Sequence, residues 1–301
     1  MILGVHCPIR EGFDAALRHA RALGCEAMQI FPYKRHEMHS APELAEFRSS
    51  RELSPVRRLL AHSRFAPCLA SSSEQRRRRS IELLDRELRL AAALGAEALI
   101  LHAGAYSEDS GREEGLRLAS AAVVEALDRG GSGLMVLFEN VPGGGRRLGA
   151  ALHDLAELLG PLRQAGKPCG VCVDTAHAWA AGFDVASAEG MLRFLSRLHR
   201  IVGAPNVRAF HLNDTRALLG SQRESHVPWG EGFLGAEGLR VLLARPEYAD
   251  RPGIVELPLA AGRKEIRPAG TCGTSDTAGV DLDLALASLT YVRGLDKGSW
   301  K

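Results

Sequence analysis

Apolar and polar positions along this chain fall into two alternating rhythms. Short apolar runs occupy residues 2–6, 27–31, 58–62, 98–102, 135–139, 171–174, 207–211 and 253–256. Between most of them lie longer stretches whose apolar residues recur every three or four positions. Examples are 13–23, 80–94, 114–127, 152–162, 188–202 and 234–243, with a last one at 281–292. The first rhythm predicts buried strands and the second amphipathic helices. Eight such units predict an α/β chain with a parallel sheet, either open and doubly wound or closed as a (β/α)8 (TIM) barrel. No Gly-x-Gly-x-x-Gly follows the first run. Gly143-Gly144-Gly145 comes after a proline and fits neither a dinucleotide fingerprint nor a P-loop. The barrel is therefore the expected fold, as one domain over residues 1–301.

Polar residues end the runs in a pattern of their own. The third to eighth runs finish at His62, His102, Glu139, Asp174, His211 and Glu256. In a barrel all strand C-termini open on one face, and that face carries the active site. A single histidine at a strand end is most often a satisfied core or loop residue. Six metal-capable side chains in register are different, because clustered carboxylates repel one another and are costly to bury unpaired. Bound cations resolve both problems. Imidazole with carboxylate suits zinc, with manganese or iron also open. A second group surrounds the first. His177 follows Asp174 by three residues and is expected on the βα loop. The stretch after the seventh run holds Asp214, Glu224 and His226. Glu224 and His226, spaced i, i+2, can chelate one ion from an extended loop, and His177 completes a further ligand set.

Composition narrows the setting. Of 301 residues, 46% are hydrophobic and 25% charged, ordinary values with ample material for a large core. No apolar run approaches a membrane span, and the N-terminus lacks the basic and long apolar regions of a signal peptide, so a cytoplasmic protein is expected. A net charge of +2 means that nucleic acid, if bound, meets a local basic patch. Six cysteines in a cytosolic chain of this length do not make a disulfide framework. Cys169-x-x-Cys172 would point to opposite faces of a strand, as buried thiols do.

The stretches "LAHSRFAPCLAS", "LILHAGAY", "LFENVPGGGRRLG", "VCVDTAHAWAAGFD", "VRAFHLND", "GSQRESHVPWGEGFLG" and "GIVELP" together resemble the endonuclease IV family of apurinic/apyrimidinic (AP) endonucleases. These are metal-dependent barrels of the xylose isomerase-like superfamily. The resemblance implies three zinc ions per chain, with manganese possible in part. His62, His102 and Glu139 would hold one. Glu139 would bridge to a second, completed by Asp174, His211 and Glu256. His177, Glu224 and His226 would hold the third. Glu139 and Glu256 then stand at the catalytic centre, and no protein nucleophile is needed. The implied reaction is hydrolysis of the phosphodiester 5′ to an abasic sugar, on damaged double-stranded DNA, by a monomer.

The departures from that family are local. Glu224 stands where aspartate is usual. The loop after the second run, residues 32–38, is basic and aromatic without the usual Asn-Pro-Arg-like motif, so Tyr33, Lys34 and Arg35 become its candidate DNA contacts. Phe65 stands where a tyrosine is usual. Residues 76–79 form a basic run expected at a solvated helix start, and residues 263–280 are a candidate flexible loop or lid. The competing reading is a sugar isomerase or epimerase of the same superfamily, built around one metal. The set His62, His102, His177 and His226 argues against it, since one ion cannot use them all. A non-catalytic relative is disfavoured because no proposed ligand is replaced by an inert residue.

Overall fold

The computed structural model describes residues 1–34, 40–64, 68–130, 133–257 and 281–296. Ten strands are present among them: β1 Ile2–His6, β2 Ala27–Ile30, β3 Arg58–His62, β4 Ala98–Leu101, β5 Met135–Glu139, β6 Cys169–Asp174, β7 Val207–His211, β8 Asp214–Thr215, β9 His226–Val227 and β10 Pro252–Val255. Eight of them close into a parallel barrel in the order β1-β2-β3-β4-β5-β6-β7-β10. The remaining two, β8 and β9, form a small antiparallel ladder above it. Among the same described residues, nine helices alternate with the strands: α1 Phe13–Ala22, α2 Ala41–Glu52, α3 Glu74–Ala93, α4 Arg112–Gly130, α5 Leu152–Gln164, α6 Thr175–Ala180, α7 Ala188–Ile201, α8 Glu237–Leu243 and α9 Leu282–Asp296.

The core has two layers because each strand has two faces. Ala27, Leu60, Ala98, Ile100, Leu137, Cys172, Ala209 and Ile254 fill the barrel interior. The outward faces, with residues such as Leu59, Leu99, Val136, Val171 and Phe210, pack against the helices. Each fully buried leucine there contributes roughly 1.5–3 kcal/mol by leaving water. Cys169 and Cys172 do lie on opposite sides: the Cys169 thiol faces the Leu159 carbonyl, while Cys172 is in the interior layer.

Two details of register matter for the site. Gly4 on β1 faces β2 so closely that a Cβ would sit 2.1 Å from the Ala27 carbonyl oxygen. Only glycine allows that approach. Between β6 and β7 the ladder runs Val171↔Val207 but then Cys172↔Ala209, so Arg208 is an extra residue. This bulge turns Ala209 and His211 inward and sets Asp174 level with His211. Without it, the β7 side chains would point to the wrong faces. Gly170 lies beside the bulge, where a Cβ would meet the Arg208 side chain at 2.5 Å.

The basic run 76–79 lies in the first turns of α3, which starts at Glu74. The 263–280 segment lies outside the described residues. Among the described residues no helix is long and apolar enough to cross a membrane.

Candidate metal centre

One rule of strand geometry builds the centre. Residues i and i+2 share a face. Leu60, Ile100, Leu137, Cys172, Ala209 and Ile254 all belong to the interior layer. Two residues beyond each, in the same order, come His62, His102, Glu139, Asp174, His211 and Glu256. The same step leads from Gly4 to His6 and from Ala27 to Gln29. All eight barrel strands thus place a polar side chain at the mouth. His6 and Gln29 are site residues outside the six strand ends singled out in the sequence, and Gln29 is not a usual metal ligand.

Glu139 is at the centre of this ring and is 1% exposed. Its Oε2 lies 3.0 Å from Nε2 of both His62 and His102. Its Oε1 lies 3.0 Å from His211 Nδ1 and 3.2 Å from His177 Nδ1. The two oxygens therefore face two different sets of imidazoles. Three groups of potential ligand atoms draw together, each within 4.8 Å: His62, His102 and Glu139; Glu139, Asp174, His211 and Glu256; and Asp174, His177 and His226. Glu224 stands at the edge of the third group, its Oε2 3.9 Å from His177 Nε2.

The supporting atoms fix which nitrogen each ring offers. His62 Nδ1 donates to the Ser63 carbonyl at 2.8 Å, and His177 Nδ1 to the Asn140 carbonyl at 2.9 Å. His211 Nε2 donates to Gln29 Oε1 at 2.8 Å. In every case the other nitrogen is left for the centre, the arrangement that orients histidines around metals. Gln29 Nε2 donates to Glu256 Oε1 at 2.6 Å and lies 3.0 Å from His6 Nδ1. Asn213 Nδ2 donates to Asp174 Oδ2 at 2.7 Å and to Glu256 Oε2 at 3.1 Å. The Asp174 N–H donates to Asn140 Oδ1 at 2.6 Å.

His177 is not on a loop as expected. It is in the first turn of α6, whose N-cap is Asp174: Asp174 Oδ1 accepts the His177 N–H at 2.8 Å. The loop carrying Glu224 and His226 is folded by other means. Asp214, buried, accepts N–H bonds from Thr215, Gly230, Gly232 and Leu234 at 2.8–3.1 Å. Its two oxygens are spent on the loop backbone, which separates it from the ligand groups. Gln222, at φ 58°, turns the chain back, with its N–H on the Ala180 carbonyl.

The electrostatics ask for positive charge. Burial pushes the Glu139 carboxyl up, but His211 and His102 around it more than offset this and hold it well below the usual carboxylate range. Burial likewise opposes ionisation of Glu256, and the nearby His211 prevails, leaving it at about 2. Burial disfavours a charged His177, yet Asp174 and Glu139 push it up to about 9. Burial alone dominates at His6, which falls to about 4. Two atoms point directly to a further partner: His177 Nε2 and His226 Nε2 are buried with no hydrogen-bond partner among the described residues. Zinc–nitrogen bonds of about 2.05 Å put neighbouring tetrahedral ligands roughly 3.3 Å apart. The 3.8 Å between His226 Nε2 and Asp174 Oδ2 is too long for a hydrogen bond and near that spacing. The donor set fits divalent cations.

The sequence candidates for DNA contact are placed differently. Tyr33 is 5% exposed, with its ring against the Arg86 guanidinium, and burial together with the nearby Glu87 pushes its hydroxyl up. It is packed into the barrel flank rather than presented at the mouth. Lys34 is half-buried beside it. Arg35 and Phe65 lie outside the described residues.

Fold and site together define a xylose isomerase-like TIM barrel, and a family profile of that description matches residues 17–270. "Probable endonuclease 4" of Chloroflexus aurantiacus is 32% identical over 269 residues, covering 88% of this chain and 94% of its own length. Endonuclease IV from Thermus thermophilus is 29% identical and superposes with a TM-score of 0.78 over 98% of both chains. A D-tagatose 3-epimerase-like protein, 20% identical at a TM-score of 0.65 over 85% of this chain and 91% of its own, shares the fold alone. The chain belongs to the endonuclease IV family.

Proposed function

We propose that this protein is a metal-dependent AP endonuclease that hydrolyses the DNA phosphodiester on the 5′ side of an abasic site. The observation that carries the reading is the three convergent ligand groups sharing Glu139 and Asp174. The relatives named endonuclease 4 and endonuclease IV support the same reaction. His62, His102 and Glu139 would hold one cation. Glu139, Asp174, His211 and Glu256 would hold a second. His177 and His226, with Asp174 or Glu224, would hold a third, and zinc is the expected ion for this mixture of imidazole and carboxylate. Cations held there would supply Lewis-acid stabilisation of charge on the scissile phosphate and would lower the pKa of water.

The chain's own residues supply geometry. Glu139 keeps two sets of imidazoles at a fixed separation. Gln29 and Asn213 hold the two oxygens of Glu256, and Asn213 ties Glu256 to Asp174. This fixed frame needs little reorganisation when negative charge develops. Lys34, Arg35 and Phe65 are the proposed contacts to the duplex, where phosphate contacts would make affinity fall steeply with salt.

A one-metal sugar epimerase would leave Nε2 of His177 and Nε2 of His226 buried without a hydrogen-bond partner among the described residues, and that disfavours the alternative. The test is incision of a duplex carrying one tetrahydrofuran abasic analogue, with elemental analysis of the same protein. About three divalent ions per chain and a cut 5′ to the analogue are expected. A stable content near one ion, with no incision, would overturn the reading.

A further inference from the structure

Outside the metal groups, one buried carboxylate ties the loops of the mouth together. Glu87 projects from α3 and is 2% exposed. Its Oε2 accepts the Ser63 hydroxyl at 2.6 Å, and its Oε1 accepts the Arg64 backbone N–H at 2.9 Å. Tyr33 stands near enough for this carboxylate to push its hydroxyl up. Ser63 and Arg64 follow β3 and Tyr33 follows β2, so two donors from one strand end and an aromatic side chain from the next meet at one helix side chain. A second layer reinforces the first. The Arg64 guanidinium lies 4.9 Å from the Phe31 ring centroid, and its Nη1 donates to the Tyr33 carbonyl at 3.3 Å. Burial pushes the Glu87 carboxyl up to about 7, against the pull of the Ser63 and Arg64 donors. A leucine would fill this position at lower electrostatic cost. A buried carboxylate is tolerated where several donors need one shared acceptor.

We propose that Glu87 is a positioning residue for substrate recognition, fastening Tyr33 after β2 and Ser63–Arg64 after β3 to each other and to α3 so that these residues hold one surface for DNA. The inference rests on the DNA-hydrolase reading above. Neither hydrogen bond to Glu87 comes from a metal ligand. The Ser63 carbonyl that orients His62 shares its peptide with the Arg64 N–H on Glu87, but a glutamine at 87 keeps an oxygen for that N–H, the Ser63 N–H stays on the Ile100 carbonyl, and Glu139 holds the other nitrogen of His62. Loss of the clamp should therefore separate recognition from metal chemistry.

The experiment compares wild type with Glu87→Gln and Ser63→Ala as metal-loaded proteins. Fluorescence anisotropy reads Kd for an abasic-analogue duplex, and steady-state incision reads KM and kcat. Hydrolysis of bis(p-nitrophenyl) phosphate reports chemistry on a diester too small to touch both loops. Glu87→Gln should raise Kd and KM for the duplex about tenfold, the scale of mis-set binding groups. Small-diester hydrolysis and metal content should stay near wild type. Ser63→Ala, which removes one donor and keeps the carbonyl, should show part of the same KM effect and serves alone if Glu87→Gln does not fold. Unchanged Kd and KM would overturn the inference, as would a parallel loss of small-diester hydrolysis and metal. A wild-type protein that neither binds nor cuts the abasic duplex would instead sink the functional reading beneath it.

Discussion

The strand-borne inner ring and the loop-borne outer arm of the mouth bring similar residues to similar distances by different physics. Glu139, Asp174 and His211 are at most 1% exposed and ride on barrel strands, so their places follow from the ladder. Glu224 and His226 hang on the excursion between β7 and β10, and the Glu224 side chain is 39% exposed. Their places depend on turns: the four N–H bonds to Asp214, the β8–β9 ladder and the left-handed Gln222. A ladder moves only as a whole, because shifting one residue breaks its neighbours' bonds. A loop can shift locally. The inner ring should therefore be rigid and unforgiving, and the outer arm adjustable.

The strongest test of that contrast is at the centre. Glu139→Gln keeps the shape but removes the charge that faces four imidazoles. Losing several kcal/mol of stabilisation at a shared ligand means a fall in incision on the order of 10³-fold. Circular dichroism and thermal midpoint should show the barrel intact. Wild-type-like incision by this variant would remove Glu139 from the centre of the site.

A weaker effect is expected one layer further out. Gln29→Leu would leave Glu256 Oε1 and His211 Nε2 without the partners now at 2.6 and 2.8 Å. Substitutions of such supporting residues typically cost about 10–100-fold in metal affinity or activity. Competition with a chelator should show the inner metals released first. If the outer metal leaves first instead, Gln29 does not support the inner ring.

The same contrast explains what was legible in the sequence. The six strand ends could be seen because alternation is rigid: an inward Leu60 or Ile254 guarantees an inward His62 or Glu256. Gln29 obeys the same rule but was passed over because glutamine is an unusual ligand, and His6 because the second run ends at Phe31 and interrupts the series of polar strand ends. Helix α2 did not stand out because only Leu44 and Phe47 are buried on it, too little for a clear stripe. Its Ser40 cap, accepting the Glu43 N–H, was the available signal. Helix α3 starts six residues before the expected 80, since the charged first turns carry no apolar face. His177 was assigned to a loop because Asp174 was read only as a ligand and not also as an N-cap. Nothing in the pattern of residues discloses the Gln222 turn, so the outer group's membership could not be fixed in advance.

Glu224 provides the mildest test, and it bears directly on how adjustable the outer arm is. Its Oε2 is 3.9 Å from His177 Nε2, while the tight group there is Asp174, His177 and His226. Glutamate thus reaches the site from its rim. Glu224→Asp restores the residue usual in the family but shortens the arm by one methylene, about 1.5 Å. In a rigid frame that withdrawal would remove the ligand altogether. In a loop free to shift, part of the distance is recovered. The expected outcome is therefore a several-fold weakening of the outermost metal, well below the second-layer losses expected at Gln29. The Glu139 group should be unaffected. Metal titration of the two proteins measures it. A loss as large as that of Glu139→Gln would mean that the outer arm is as rigid as the ring. No difference at all would mean that Asp174, His177 and His226 hold the ion without Glu224.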